Sequence, residues 1–280
     1  MTSSMLPAAV FGARVRSGAA PRSLVDPVFE TPTLVVGRHE ALVRVDGVAR
    51  FHVRHGREVI VDIEAGATEA QCLLWLHGRI ANVVLSQQGR HALHASTVAV
   101  GSQAVAIAGM SGAGKSTTVV ALVDAGAILV ADEVSAVDVV GNRAVVAPLS
   151  RAVRLAPATA DRLRVATVVG SSAADPMGKA TAVMDRATNQ PAPLSLIVVL
   201  RADAGQQGVT VERLDHLAGV RALQGHTYGQ NLVALQPNRH LRWAADVASC
   251  VPVYRLARPA KEWTIDAVMA NIRLLLASNG

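Results

Sequence analysis

The chain has 280 residues, is 51% hydrophobic but only 3% aromatic, and carries a formal net charge of +6. That length can bury a large aliphatic core in one big domain or two smaller ones. No block of consecutive basic residues and no aromatic-studded basic strand marks a nucleic-acid surface, so the charge favours acidic or phosphorylated partners.

No apolar run reaches the roughly 18–20 residues that a membrane helix needs, because Asp124, Asp132 and Arg201 interrupt the best candidates. Three arginines near the N-terminus are not followed by an apolar core and a cleavage site, so a cytoplasmic protein is expected. Cys72 and Cys250 lie far apart in apolar patterns and read as free thiols.

In chain order, residues 1–30 read as an irregular leader and residues 31–88 as a β-meander followed by a helix. The meander comes from short β-type runs at 34–36, 41–45, 50–53 and 59–63, with turns at Asp46-Gly47 and His55-Gly56. Thr68 opens the helix, whose apolar side carries Leu73, Leu76, Ile80 and Val84. Residues 89–280 read as one further domain. It begins with strands over 93–100 and 104–108 joined by Gly101-Ser102, then a helix closed near Gly126 and an apolar strand ending at Asp132-Glu133. Residues 170–192, rich in Ser, Ala, Pro, Gly and Thr, read as a mobile loop; a strand at 196–200 and a helix from about Ile265 to Leu276 follow. The fold class is α/β: a mixed sheet with flanking helices behind a small β-rich N-terminal region.

Residues 109–117, Gly-Met-Ser-Gly-Ala-Gly-Lys-Ser-Thr, match the phosphate-binding pattern G-x-x-x-x-G-K-[ST] at every fixed position. Glycines at 109, 112 and 114 let successive backbone N–H groups of Gly109, Met110, Ser111, Gly112, Ala113 and Gly114 turn toward phosphate oxygens. Lys115 reaches the β- and γ-phosphates, Ser116 can ligate Mg²⁺, and Thr117 continues the loop into the helix. A strand before and a helix after supply the required context. A nucleoside triphosphate is therefore the expected cofactor; the sequence leaves ATP and GTP both open, with ATP the default in the absence of an Asn-Lys-x-Asp guanine reader.

Asp132 follows Lys115 by only 17 residues, so one helix and one turn carry the chain from the loop to an acidic strand end. That crossover makes the two strands parallel and near neighbours. Asp132 is the candidate metal-linked acid, with Ser116 the second metal ligand. Glu133 can orient water for hydrolysis or accept a proton from a substrate hydroxyl. Arg151, Arg154 and Lys179 are candidate cations for the transferring group. The histidines at 52, 55, 77 and 91 have no metal-ligand spacing, and Tyr228 reads either as an adenine platform or as helix packing.

Leu93-His94-Ala95-Ser96, the loop at 109–116 and Val130-Ala131-Asp132-Glu133 together resemble the catalytic core of the HPr kinase/phosphorylase family, most closely its shortened relatives that phosphorylate ribosomally made peptides such as lasso peptides. The match is strong over about residues 88–140 and weaker from there to the C-terminus. The resemblance implies a P-loop serine kinase using ATP and Mg²⁺, with His94 tuning the carboxylates and Glu133 taking the proton of an acceptor serine on a peptide or small protein. Glu133 stands where the family has a second Asp, and the Arg-Gly-Leu-Gly segment tied to phosphorolysis is absent. Relatives often form oligomers, so a homo-oligomer is compatible with the resemblance. The alternatives are a P-loop ATPase acting as a nucleotide-dependent switch, in which Glu133 activates water, and a kinase for a small-molecule hydroxyl.

Overall fold

The computed structural model describes residues 6–165, 168–171 and 178–279. The chain divides into two compact units, one running to His91 and taking in Gly229–Leu235, the other comprising Ala92–Tyr228 and Gln236–Gly280.

The first unit is a seven-stranded sheet in the order β1-β2-β7-β6-β5-β4-β3. Its strands are β1 (Ala9–Val10), β2 (Ala13–Ser17), β3 (Phe29–Thr31), β4 (Leu34–Val36), β5 (Glu40–Val45), β6 (Ala49–Arg54) and β7 (Glu58–Ile63). From β4 to β7 it is the expected antiparallel meander. Residues 1–30 are not an irregular leader over their described part: β2 pairs parallel with β7, and β1 pairs with β2. The period-2 pattern is brief but real, with Ala13 and Val15 buried while Arg14 and Arg16 face out. Arg16 then meets Glu58 across the ladder at 2.8 Å. The helix opened by Thr68 has a full capping box with Gln71, and it is interrupted. A π-helical turn, Leu76–Ile80, separates α1 (Glu69–Trp75) from α2 (Ala81–Gln87).

The second unit begins with β8 (Ala92–Leu93), β9 (Ala95–Val100), β10 (Gln103–Gly109), α3 (Lys115–Asp124), β11 (Ile128–Ala131), β12 (Ser135–Val140) and β13 (Arg143–Val146). It continues through β14 (Ala152–Leu155), α4 (Pro157–Arg162), β15 (Val168–Ser171), β16 (Ala180–Val183), β17 (Ala192–Asp203), β18 (Thr210–Arg213) and α5 (His216–Gly225). After α6 (Gln230–Val233), which belongs to the first unit, come α7 (Pro237–Cys250), β19 (Val253–Pro259) and α8 (Ile265–Ser278).

The main sheet runs β11-β9-β10-β17, with β13, β12 and β8 continuing one path and β19 then β18 the other. β10, β17 and β19 are parallel. β11 and β10 are parallel as expected, but they are not adjacent. β9, folded back on β10 through the turn at Gly101-Ser102, lies between them and is antiparallel to both. The stretch expected as a mobile loop is partly structured, since β15 and β16 form a three-stranded sheet with β14; residues 172–177 of it lie outside the described residues.

β10 explains why this sheet is stable. Its alternate side chains serve two cores, each side buried and apolar. Val105 and Ile107 join Leu122, Leu196, Val198, Leu256 and residues of α8 on one face. Ala104, Ala106 and Ala108 join Ile197, Val253 and residues of α5 and α7 on the other. Small alanines toward α5 and α7 let those helices approach, while the larger residues fill the α3 side. Each fully buried branched side chain contributes about 1.5–3 kcal/mol, so the strand that ends in the loop is also among the best anchored.

Candidate active site

The loop leaves β10 at Gly109, and the local geometry requires glycine there. Gly109 has φ +147° and pairs with Leu200 in the β10–β17 ladder; a Cβ on it would collide with the Leu200 carbonyl oxygen. Gly114, at φ +107°, is the N-cap of α3, so the backbone turns through the left-handed region just before Lys115. The Lys115 ammonium folds back over the loop, donating to the Gly109 carbonyl at 2.7 Å and the Met110 carbonyl at 3.3 Å. Burial holds its pKa below the ordinary lysine value, while Glu133 and Asp132 pull it up and Lys179 pushes it further down. Ser116 and Thr117 occupy the first turn of α3, where free N–H groups and the helix dipole favour an anion.

Asp132 and Glu133 follow β11 directly, and the two carboxylates have different surroundings. Asp132 is only 4% exposed. One of its oxygens accepts from Ser96 Oγ at 2.5 Å and the other from the Arg154 backbone N–H at 2.9 Å. Burial nonetheless raises its pKa, against the lowering by those two hydrogen bonds. Glu133 has φ +69°, a left-handed conformation rare for a residue with a side chain. That turn aims its carboxylate away from the strand, where Oε1 lies 3.7 Å from His94 Nδ1 and Oε2 lies 3.8 Å from an Arg154 guanidinium nitrogen.

His94 sits in a break between β8 and β9, its own N–H donating to the His226 carbonyl at 2.7 Å. The expected single strand over 93–100 is therefore split at this residue. Burial lowers the His94 pKa more than Glu133 raises it, and Lys115 and Lys179 lower it further, so the ring is biased to the neutral form. The Tyr228 ring lies 5.4 Å from it, which places Tyr228 on the carboxylate side of the loop, packed against His94.

The structure thus brings together Lys115, Asp132, Glu133, His94 and Arg154, and it also brings in Lys179, whose charge is felt at both Lys115 and His94. Arg151 is exposed, and the cationic contact with Glu133 comes from Arg154. Two residues had no role in the sequence reading. Ser96 holds Asp132, although its place in the His-Ala-Ser step was visible. Arg258, at the end of β19, donates from Nε to the Ala113 carbonyl at 3.0 Å and lies beside Gly114. Nothing local marked Arg258; only the parallel pairing of β17 with β19 carries it to the loop.

Ser116 with Asp132 and Glu133 offers hard oxygen donors, which suit Mg²⁺, an ion held through one or two carboxylates, phosphate oxygens and water rather than by an all-protein cage. No cluster of three His, Cys, Asp or Glu suited to a metal occurs among the described residues. Beside the loop opens a cleft of about 730 Å³ with an apolar floor, bordered by Met110, Ser111, His226, Arg201, Arg221 and Arg255.

No helix is long and apolar enough to cross a membrane among the described residues. No protein-family model matches the chain, and no curated protein matches it. Among solved structures it is similar to the Hpr(Ser) kinase/phosphatase from Coxiella burnetii, at 15% identity over 67% of this chain and 94% of that one, with a TM-score of 0.36. A likeness at that level carries no argument about chemistry, so function rests on the site's own geometry.

Proposed function

We propose that the chain is an ATP-dependent phosphotransferase, a serine kinase of HPr-kinase-like type, that moves the γ-phosphoryl group to a hydroxyl of a peptide or small protein. A ribosomally made precursor of the lasso-peptide class is the acceptor we favour. One observation supports this most: Glu133 is turned out of its strand and held at 3.7–3.8 Å between His94 and Arg154, beside the phosphate lysine and outside the buried pocket of Asp132. A carboxylate so placed can receive a proton.

In this reading the loop amides and Lys115 hold the β- and γ-phosphates, and transfer is achieved by positioning and electrostatics. Mg²⁺, held by Ser116 and Asp132, would neutralise charge on the phosphate oxygens. The acceptor oxygen bonds to the γ-phosphorus, the bond to the β,γ-bridging oxygen breaks, and the hydroxyl proton passes to Glu133. Arg154 fixes the Glu133 carboxylate, and neutral His94 leaves it free to take the proton. The cleft of about 730 Å³ beside the loop, bordered by Met110, Ser111 and His226, is the proposed approach for the acceptor.

The test is to incubate the protein with ATP, Mg²⁺ and a short precursor peptide bearing serine and to read the peptide mass. A gain of one phosphoryl group, lost in Lys115→Ala, is expected. Steady release of inorganic phosphate with every peptide unchanged would favour the ATPase or switch reading.

A further inference from the structure

The phosphate loop has a second cavity, on the side away from the acidic strand end. In the sheet order β11-β9-β10-β17-β19 the loop springs from the centre, the carboxylates from one side, and the segment after β19 lies on the other. There a cavity of about 280 Å³ is bordered by Gly114, Thr117, Arg162, Arg258, Trp263 and Thr264. Three features mark it as built for a ligand. Arg162 lies over the Trp263 ring, its guanidinium carbon 4.0 Å from the ring centroid, which joins a cation to an aromatic, polarisable wall. Trp263 is still 40% exposed, an unusual place to leave the largest apolar side chain. Thr264 is the N-cap of α8 yet makes no capping hydrogen bond, and its hydroxyl oxygen is buried without a partner among the described residues.

We infer that this cavity is the nucleoside subsite: the purine base of the triphosphate stacks against the Trp263–Arg162 pair and the Thr264 hydroxyl hydrogen-bonds the nucleoside. The inference rests on the proposed nucleotide chemistry of the loop and extends it to residues with no phosphate role. The direction is dictated by the polarity of the phosphate chain. Its γ end must lie by Lys115 and Glu133, so the nucleoside leaves past Thr117, and this cavity borders Thr117. Arg258, anchored on the Ala113 carbonyl, stands at the junction, where the α-phosphate would pass. A base needs a flat surface and a few polar atoms, and aromatic and guanidinium planes supply the first without regard to sequence context.

The experiment titrates ATP and, separately, inorganic tripolyphosphate, which lacks the nucleoside, into wild type, Lys115→Ala, Trp263→Ala and Thr264→Val by calorimetry. Trp263→Ala should weaken ATP about tenfold, as loss of one stacked base does, and leave tripolyphosphate unchanged. Thr264→Val should also weaken ATP alone, and without nucleotide it should be no less stable than wild type, since its hydroxyl has no bond to lose. This variant keeps the test decisive even where Trp263→Ala does not fold. Wild type binding tripolyphosphate as tightly as ATP, or Thr264→Val binding ATP normally, would overturn the subsite while leaving the phosphate reading intact. Wild type binding neither ligand would overturn both.

Discussion

Ser96→Ala isolates the buried carboxylate on which the acidic strand end is built. Ser96 and Asp132 are 1% and 4% exposed, and the serine hydroxyl donates to the carboxylate at 2.5 Å. A hydrogen bond to a charged group contributes about 1.5–3 kcal/mol, and alanine leaves almost no cavity in its place, so a loss of about 2 kcal/mol is expected. For a unit of this size that lowers the unfolding midpoint by roughly 4–8 °C. The pH dependence has a definite sign. The Ser96 hydrogen bond lowers the Asp132 pKa, against burial, which raises it above the ordinary 3.8. Without Ser96 the folded pKa climbs further, so the folded state holds that proton more tightly than the unfolded chain. Such a group contributes stability below the unfolded pKa and loses it as pH rises through the folded value. The Ser96→Ala deficit must therefore grow with rising pH and shrink in acid. Thermal unfolding of Ser96→Ala, Asp132→Asn and the double variant across pH is the assay. In the Asp132→Asn background the partner is neutral, and the deficit should fall to about 1 kcal/mol. An equal deficit in both backgrounds, independent of pH, would show that the Ser96 hydroxyl does not act through the Asp132 charge.

Glu133→Gln preserves shape and removes the proton acceptor, so ATP affinity should hold while turnover falls about 10²–10⁴-fold, read as ADP formation at saturating ATP. Gly109→Ala meets both the left-handed φ and the Leu200 carbonyl, a backbone atom that cannot step aside; it should destabilise by about 3 kcal/mol or more, measured by urea unfolding. His77, His94, His226 and His240 all have pKa values lowered, chiefly by burial, from 6.5. Their folded forms bind fewer protons than the unfolded chain, so stability is full above that value and lost as pH falls through the window below it. Asp132 works in the opposite sense. A midpoint that stays flat from about pH 7 to about pH 5.5 would contradict the histidine burial.

What the sequence revealed and what it hid divide along physical lines. The loop was legible because its glycines, lysine and serine are fixed by phosphate chemistry at fixed spacing, and the meander because its turns carry Asp-Gly and His-Gly signals. Strand β2 was hidden because five residues of alternation, two of them arginine, look like a polar leader until a parallel partner in β7 is present. The position of Glu133 was visible but not its left-handed backbone, which no local signal announces in a non-glycine residue. Arg258, Trp263 and Thr264 come to the loop through strand pairing over more than 140 residues, as the Arg258–Ala113 bond across 145 positions shows. A strand inserted between β11 and β10 follows from the hairpin of β9 on β10, whereas the crossover rule speaks only to parallelism.

The fate of the γ-phosphate separates a serine kinase from an ATPase. With γ-labelled ATP, Mg²⁺ and a serine-containing peptide library, a serine kinase places label on peptide serine, abolished in Lys115→Ala and strongly reduced in Glu133→Gln. Label recovered only as inorganic phosphate, at a rate indifferent to the peptides and still dependent on Glu133, would contradict the kinase reading.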